Sequence, residues 1–381
     1  MGVGSPALPP GPRGHLREVA LVFLKLGTVG FGGPAAHIAL MHDEVVRRRK
    51  WLSEAEFLDL VGAVNLIPGP NSTELAIHLG YRRAGWAGLW LAGACFILPA
   101  FLAVLGCAWA YVRYGSLPQV TSALYGAKPA ILAVVALALW SLGRTALKDV
   151  ATAGLAAGVL VLWMRGVHEL VLLAASGLLV GAARAGWRAG AVLALAPGVA
   201  AAAAGTPVPF HLATLFLTFL KVGSVLFGSG YVLLAFLHAD FVVRLGWLTE
   251  AQLLDAVAVG QVTPGPVFTT ATFVGYLLDG PRGASVATVG IFLPAFVFVA
   301  LSHPVVPRLR RSPLASGFLD GVNAASWALM AGVGLHLARG SVVDGLTAVL
   351  AGLSLWLAWH RVNTAFLVVG AALVGVLSRG L

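Results

Sequence analysis

The stretch NLIPGPNSTE at residues 65–74 lies within apolar sequence, and QVTPGPVFTT at 261–270 repeats its Pro-Gly-Pro centre. Proline removes a backbone donor, and glycine adopts conformations that other residues avoid. Pro-Gly-Pro therefore ends any helix that it enters. The pattern predicts that this chain interrupts its helical structure twice, at matching places.

The composition indicates a membrane protein. Of the 381 residues, 59% are hydrophobic and only 10% are charged, whereas soluble domains carry about 25% charged residues. Apolar runs such as 86–112 exceed the roughly 20 residues that cross a bilayer as a helix. These runs are continuous rather than alternating, which excludes a transmembrane barrel. We therefore predict an all-α polytopic protein of the bacterial inner (plasma) membrane.

The formal net charge of +10 does not indicate a nucleic-acid partner. The arginines are scattered at the ends of apolar segments, where the positive-inside rule places them. The expected surroundings are the lipid bilayer, and we expect no nucleic acid to bind.

The chain is an internal duplication. Adding 196 to residues 23–33 (FLKLGTVGFGG) gives FLKVGSVLFGS, and adding 196 to 51–70 gives the segment that ends in the second Pro-Gly-Pro. Further along the offset is 195, which pairs LPAF at 98–101 with LPAF at 293–296. The predicted organisation is a disordered N-terminus (1–15), a first half (16–186), an Ala/Gly-rich connector (187–209) and a second half (210–381). Whether the connector holds a further helix is left open.

Each half is expected to contain one interrupted first helix (16–40; 210–236) and two short helices around Pro-Gly-Pro (53–66 and 71–81; 249–262 and 267–278). Both short helices are below spanning length. They form either a re-entrant hairpin near the membrane midplane or one broken crossing, and internal repeats with such segments are typical of secondary transporters.

The basic residues indicate inverted halves. The loop after the first helix is RRRK at 47–50 in the first half but holds only Arg244 in the second. The loop after the LPAF helix has the opposite bias, with Arg113 in the first half and three arginines at 308–311 in the second. This exchange favours inverted repeats and a re-entrant hairpin. If the connector crosses the membrane and the Pro-Gly-Pro hairpins are re-entrant, the halves are instead parallel. If the connector crosses and each pair of short helices also crosses the membrane, the halves are again inverted.

The helix that follows Pro-Gly-Pro is suited to binding an anion. Its first amides and the positive end of its dipole face the break. The predicted substrate-binding residues around the two breaks are Asn65, Pro68, Gly69, Pro70, Asn71, Ser72 and Thr73, with Gln261, Pro264, Gly265, Pro266 and Thr269. In the alternative interpretation, the polar side chains only cap the second short helix.

Two lysines occupy the same position of the repeat, Lys25 and Lys221, inside apolar helices. Ionisable residues within the membrane are costly and indicate function. We interpret them as substrate-binding cations that offset the charge of a dianion, the alternative being that they extend to the membrane interface. Glycines follow each lysine, of which Gly32, Gly33 and Gly228 are predicted either to contact the ligand or to allow close helix packing.

Three carboxylates are proton-coupling candidates: Glu74, Asp59 and Asp255. Glu74 has no acidic counterpart in the second half and lies beside the predicted anion site, where a charged carboxylate would repel the substrate. Asp59 and Asp255 can alternatively pair with a lysine. The residues after the first helix (His42, Glu44 and Arg48; His238, Asp240 and Arg244) are interpreted as an interfacial belt of ion pairs.

The sequence contains no catalytic or nucleotide-binding motif. Its two cysteines, Cys95 and Cys107, lack metal-site spacing. We therefore expect no enzyme activity, no cofactor and no metal. A homodimer is left open.

The segments FLKLGTVGFGGP (23–34) and NLIPGPNS (65–72), with their second-half echoes, resemble the chromate ion transporter family in its long two-domain form. The resemblance implies export of chromate from the cytoplasm, chromate resistance and a drive by the proton motive force. It also implies roles for Pro34 and for the lysines, glycines and Pro-Gly-Pro residues named above.

The second half departs from the first at two motif positions, since Ser229-Gly230 replaces Gly33-Pro34 and Val267 replaces Asn71. The polar contacts to the anion are therefore expected in the first half. Sulfate has the same charge and shape as chromate, so a sulfate or other oxyanion carrier is one alternative. A non-transporting membrane scaffold or enzyme is the other.

Overall fold

The computed structural model describes residues 12–31, 33–186, 209–227, 230, 232–302 and 312–379. Gly32, Gly228 and residues 187–208 of the connector, with the helix that was left open there, lie outside the described residues. So do residues 1–11 of the N-terminus that was expected to be disordered. The first helix begins at Pro12, within that N-terminal stretch.

The described residues form 14 α-helices and no strand. The first half contains α1 (Pro12–Val29), α2 (Pro34–His42), α3 (Glu54–Val64), α4 (Asn71–Tyr114), α5 (Pro118–Ala146), α6 (Val150–Met164) and α7 (Glu169–Arg184). The second half contains α8 (Leu212–Val225), α9 (Leu233–Leu237), α10 (Glu250–Val262), α11 (Thr270–Ser302), α12 (Pro313–Ser341), α13 (Gly345–Trp359) and α14 (Thr364–Arg379). Four of the described helices, α4, α5, α11 and α12, are long and apolar enough to cross a membrane.

Repeated local sequence produces repeated helix ends. Ser53 caps α3 in a capping box with Glu56, and Thr249 caps α10 with Gln252 in the same way. Each of these boxes satisfies backbone amides that a helix start leaves without intrahelical partners. The π-helical turns that follow α2 and α9, Asp43–Arg48 and His238–Arg244, are repeated as well. The last three helices of the two halves, α5 to α7 and α12 to α14, match at both ends at an offset of 195, whereas α9 is shorter than α2.

The long helices α4 and α11 each fold back on themselves. Gly85 has φ 60° and Gly280 has φ 55°, a region that favours glycine. Beyond the bend in α4 the two limbs touch so closely that a Cβ on Gly80 would lie 2.3 Å from the Gly88 carbonyl oxygen. Each of these helices is therefore an antiparallel pair consisting of a short limb and a long limb.

The Pro-Gly-Pro segment is the tip of a re-entrant hairpin. Arg82, at the end of the short limb of α4, lies 2.8 Å from Glu56 in the first turn of α3. The chain thus enters along α3, turns at residues 68–70 and leaves along α4 on the same side. The two short helices of the first half therefore form a hairpin rather than one continuous broken helix.

The first helix was predicted as one interrupted helix, but in the structure the chain reverses at the interruption. Arg49, just beyond α2, lies 2.9 Å from Glu18 in α1, and Lys25 of α1 lies 2.8 Å from Glu44. The chain therefore turns back at Gly30 to Gly33, and α1 and α2 form a second hairpin with its base beside the first. A glycine-rich break has the same sequence pattern whether the chain continues or reverses, which explains the difference.

The long limb of α4, residues 86–114, shows that the halves are inverted. It starts at the base of the first-half hairpins, and near its other end the Tyr111 hydroxyl donates to Asp255 of α10 at 2.9 Å. Midway along the limb, Ala100 lies against Gly265. A Cβ added to Gly265 would lie 2.6 Å from the Cβ of Ala100. The second-half hairpin therefore enters from the opposite end of this limb, and the hairpin tips meet near its middle.

Candidate functional site

The two halves hold each other by a reciprocal pair of backbone hydrogen bonds at the breaks. The Gly69 amide donates to the Leu226 carbonyl at 2.8 Å, and the Gly265 amide donates to the Gly30 carbonyl at 2.7 Å. Position 265 is the repeat counterpart of 69, and 226 is that of 30. Each Pro-Gly-Pro tip therefore satisfies a carbonyl that the broken first helix of the other half exposes.

A cavity of about 260 Å³ opens beside this crossing. Four elements line it: the tip of the α3–α4 hairpin, the end of α5, the chain around α8 and α9, and α12. The polar wall consists of Asn65, Asn71, Thr145, Asn323, Ser326 and Trp327, and the apolar wall of Ile67, Leu142, Ala146, Phe227 and Val232. We call it the first cavity. Both halves contribute to it, and no ionisable side chain lines it among the described residues.

The first cavity offers hydrogen-bond donors at a helix start. Asn71 is the first residue of α4. The first backbone hydrogen bond at this helix start runs from the Thr73 amide to the Pro70 carbonyl, so the backbone amides before Thr73 have no partner within the helix. The Asn71 side-chain amide donates to Asn65 Oδ1 at 2.7 Å across the tip. The Ser326 hydroxyl is buried without a partner among the described residues. This combination of neutral donors and a helix N-terminus is suited to an oxyanion.

The lysines predicted to bind substrate do not line this cavity. Lys25 Nζ lies 2.8 Å from Glu44, and Lys221 Nζ lies 2.5 Å from Asp240, which is fully buried. Both lysines link the two arms of a first-helix hairpin. Glu44 also accepts from Arg49, and Asp240 from Arg244, each by way of the guanidinium Nε. The predicted belt of ion pairs is present, and it includes the two lysines.

Behind the first-half tip the side chains are fully or almost fully buried. Ser72, Thr73 and Glu74 are at most 3% exposed. Neither carboxylate oxygen of Glu74 has a hydrogen-bond partner among the described residues. Gly69, whose φ is 135°, leaves the space that this carboxylate uses, since a Cβ there would lie 2.3 Å from Glu74 Oε1. Glu74 thus lies directly behind the Pro-Gly-Pro turn.

The second-half tip is more buried and less polar than the first-half tip. Val267 replaces Asn71, the Thr269 hydroxyl donates to the Pro266 carbonyl at 2.7 Å, and Gln261 is 7% exposed. The Thr269 hydroxyl is therefore satisfied by a carbonyl of its own turn, and no described side chain caps the turn at Val267–Thr269. Pro264, Gly265 and Pro266 form the turn, whereas neither Gln261 nor Thr269 lines the first cavity.

Asp255 belongs to a second cavity, of about 360 Å³, at the other end of the helices. Lys128 of α5 lies 3.5 Å from Asp255, and the hydroxyl of Tyr111 donates to the same carboxylate. Asp255 therefore pairs with a lysine, but with Lys128 rather than with a lysine of the first helices. Asp59 is exposed on α3 and lines neither cavity.

Sequence reasoning missed Lys128 and Asn323. They are counterparts in the repeat, at an offset of 195, and each lies within a long apolar helix. Lys128 carried a readable signal, since it is a charge well inside an apolar segment. A single asparagine in such a helix did not, because it serves helix packing as readily as ligand binding.

The family model described as "Chromate transporter" matches residues 17–182 and again 213–376. A chromate transport protein of Cupriavidus metallidurans is 36% identical, covering 96% of this chain and 94% of that protein. A probable chromate transport protein of Synechococcus elongatus is 34% identical, covering 96% of each. A chromate transport protein of Pseudomonas aeruginosa is 32% identical over 93% of this chain and 90% of that protein.

No solved structure matches this chain. The family model matches the chain twice, once in each of the two halves of the fold. The relatives are similar to this chain over nearly their whole length. The protein is a multi-pass membrane protein that belongs to the chromate transporter family.

Proposed function

We propose that this protein exports chromate from the cytoplasm across the bacterial inner membrane, driven by the proton motive force. The observation that carries the proposal is the first cavity, where a helix N-terminus from one half and the amide of Asn323 from the other converge on one space. The identity of the substrate in this proposal comes from the related proteins named above, which are named chromate transport proteins.

Neutral donors suit a carrier that must release its cargo. A lysine or arginine in direct contact would bind a dianion tightly, whereas amides, hydroxyls and a helix dipole bind it more weakly. Lys148, three residues after Thr145, lies 2.6 Å from Asp320, and Arg184 contacts the same carboxylate. Asp320 is one helical turn from Asn323. These cations attract an anion towards the cavity without holding it there.

The orientation follows from charge. The base of the first-half hairpins carries the basic run at 47–50 together with Arg82 and Arg83, whereas Arg244 and Arg282 lie at the opposite base. The positive-inside rule therefore places the first-half base in the cytoplasm. The first cavity, at the end of α5 that leads to Lys148, then opens to the cytoplasm. The second cavity is the exit side, where Lys128 stands in the place of Asn323.

Glu74 is the residue we assign to proton coupling. A buried carboxylate without a partner is stable only when protonated or when another conformation supplies a partner. It lies behind the turn that the anion would contact, so its proton and the anion influence the same few backbone atoms.

The test is chromate uptake into everted vesicles that contain the protein, with an inside-acid gradient and sulfate as competitor. The proposal predicts accumulation that an uncoupler abolishes. Strong competition by sulfate would show that the site recognises only tetrahedral shape and charge. Sulfate flux without chromate flux would overturn chromate export while retaining an oxyanion carrier. Absence of both fluxes in folded protein would favour the scaffold alternative.

A further inference from the structure

Three potential metal ligands meet at the base of the second-half hairpins. His238 starts the π-helical turn after α9, Glu250 lies in the first turn of α10, and His336 is near the end of α12. Their ligand atoms all lie within 4.8 Å of one another. His336 Nε2 is 2.8 Å from Glu250 Oε1, and His238 Nε2 is 3.9 Å from the same oxygen. The three residues come from three separate elements.

The surroundings of these residues differ in a way that suits a bound cation. His238 is 5% exposed, and neither of its ring nitrogens has a hydrogen-bond partner among the described residues. Buried polar atoms normally have partners, and each exception needs an explanation. The side chains of Glu250 and His336 are 41% and 49% exposed. An ion could therefore enter from solvent and keep a water as a further ligand.

The distances match the requirements of a tetrahedral ion. Zn²⁺ binds imidazole nitrogen at about 2.0–2.1 Å and carboxylate oxygen at about 2.0–2.2 Å, so two ligand atoms lie about 3.3 Å apart. The two distances to Glu250 Oε1, 2.8 and 3.9 Å, lie on either side of that value. Small side-chain rotations would equalise them. We propose that His238, Glu250 and His336 bind a divalent transition-metal ion of the Zn²⁺ class.

The first half contains the same pair without the third ligand. His42 Nε2 lies 2.8 Å from Glu54 Oε2, in the positions equivalent to His238 and Glu250. The residue equivalent to His336, at an offset of 195, is Ser141. The duplication thus provides an internal reference in which two ligands form an ordinary ion pair. The third ligand distinguishes the second half.

A bound ion would fasten α12 to the start of α10. The helix α12 carries Asn323 and Ser326 in the wall of the first cavity. Metal binding would therefore restrain a helix that shapes this cavity, and would do so from the opposite end of the molecule. The binding claim itself is independent of which anion the protein carries.

The experiment counts Zn²⁺ bound to the purified, tag-free full chain after chelator treatment, by competition with a chromophoric chelator. The wild-type protein is compared with His336→Ser, which copies the first half, and with His336→Cys, which supplies a thiolate ligand. Glu54→Gln serves as the matched control outside the site. We expect one high-affinity equivalent in the wild type, in His336→Cys and in Glu54→Gln, and its loss in His336→Ser.

Thermal unfolding with and without Zn²⁺ provides a second measurement on the same variants. Zn²⁺ should raise Tm in every variant that retains the site and leave Tm of His336→Ser unchanged, while all variants unfold cooperatively without metal. Equal Zn²⁺ binding by the wild type and His336→Ser would mean that the ion binds elsewhere and would overturn the proposal. Absence of a high-affinity equivalent in the wild type would do the same.

Discussion

The Gly265 amide donates its hydrogen to the carbonyl of Gly30 at 2.7 Å, and these residues lie at the breaks of opposite halves. The repeat counterpart of this bond joins Gly69 to Leu226. A backbone break inside a membrane is tolerated where protein satisfies its polar groups. In this fold each half donates a backbone hydrogen bond to a carbonyl at the break of the other half. The broken helices are therefore stable only while the two halves are packed together.

The first prediction concerns Gly265→Ala. Residue 265 has φ 90°, and a Cβ would lie 2.6 Å from the Cβ of Ala100. We expect a loss of about 1–2 kcal/mol from the left-handed backbone conformation and about 1–3 kcal/mol more from overpacking. The control is Gly166→Ala, where φ is 84° and nothing lies within 4 Å of a Cβ. Thermal unfolding in detergent should show a clearly larger decrease in Tm for Gly265→Ala. Equal decreases in the two variants would contradict the close packing of the Gly265 turn against Ala100.

The second prediction tests inversion. Arg82 and Arg282 are both exposed and lie at the bases of the hairpins of opposite halves. With Cys95 and Cys107 replaced by alanine, a single cysteine at Arg82 should react with an impermeant thiol reagent only from the cytoplasmic side. A single cysteine at Arg282 should react only from the other side. Labelling of both positions from the same side would mean that the halves are parallel.

The third prediction separates ion pairing from substrate binding for the lysines. Lys221→Met leaves the buried Asp240 with Arg244 as its remaining close partner. We expect a loss of about 1.5–3 kcal/mol, the range for hydrogen bonds to charged groups. The KM for chromate per folded protein should stay within about twofold, because Lys221 does not line the first cavity. A tenfold increase in KM with unchanged Tm would assign the lysine to the substrate instead.

The fourth prediction concerns coupling. Glu74→Gln keeps the shape of a fully buried side chain and removes its titratable proton. We expect this variant to fold and to exchange chromate for chromate, but to lose uphill accumulation under an inside-acid gradient. Glu56→Gln, which alters an exposed carboxylate at the hairpin base, is the control and should accumulate normally. Gradient-driven accumulation by Glu74→Gln at the wild-type level would exclude Glu74 as the coupling group.

Much of the fold could be predicted from the sequence because the internal duplication repeats each motif. The two Pro-Gly-Pro segments located the re-entrant tips, and the exchanged arginine bias indicated inversion. The reversal at Gly30 was not readable, since a glycine break does not reveal the direction of the chain beyond it. The pairing of Lys25 with Glu44 follows from that reversal, which brings residues 19 positions apart together across a hairpin.

Only the part of the candidate site at the Pro-Gly-Pro break could be predicted from the sequence. Asn65 and Asn71 were found because they flank a helix break, where polar groups have a specific physical role. Asn323 and Ser326 were missed because they enter the site from a continuous helix, and only the packing of α12 against α5 and α7 places them there. Periodicity within one helix does not contain that information.

The most direct measurement is equilibrium binding of radiolabelled chromate to the purified protein and to Asn71→Leu, Asn323→Leu and Gln261→Leu. Each cavity variant loses a hydrogen bond to a charged ligand, about 1.5–3 kcal/mol, which weakens binding by at least tenfold. Gln261 lies at the second-half tip and lines neither cavity, so Gln261→Leu should bind like the wild type. Weakened binding in Gln261→Leu with unchanged binding in Asn71→Leu and Asn323→Leu would contradict the central claim that the anion binds in the first cavity.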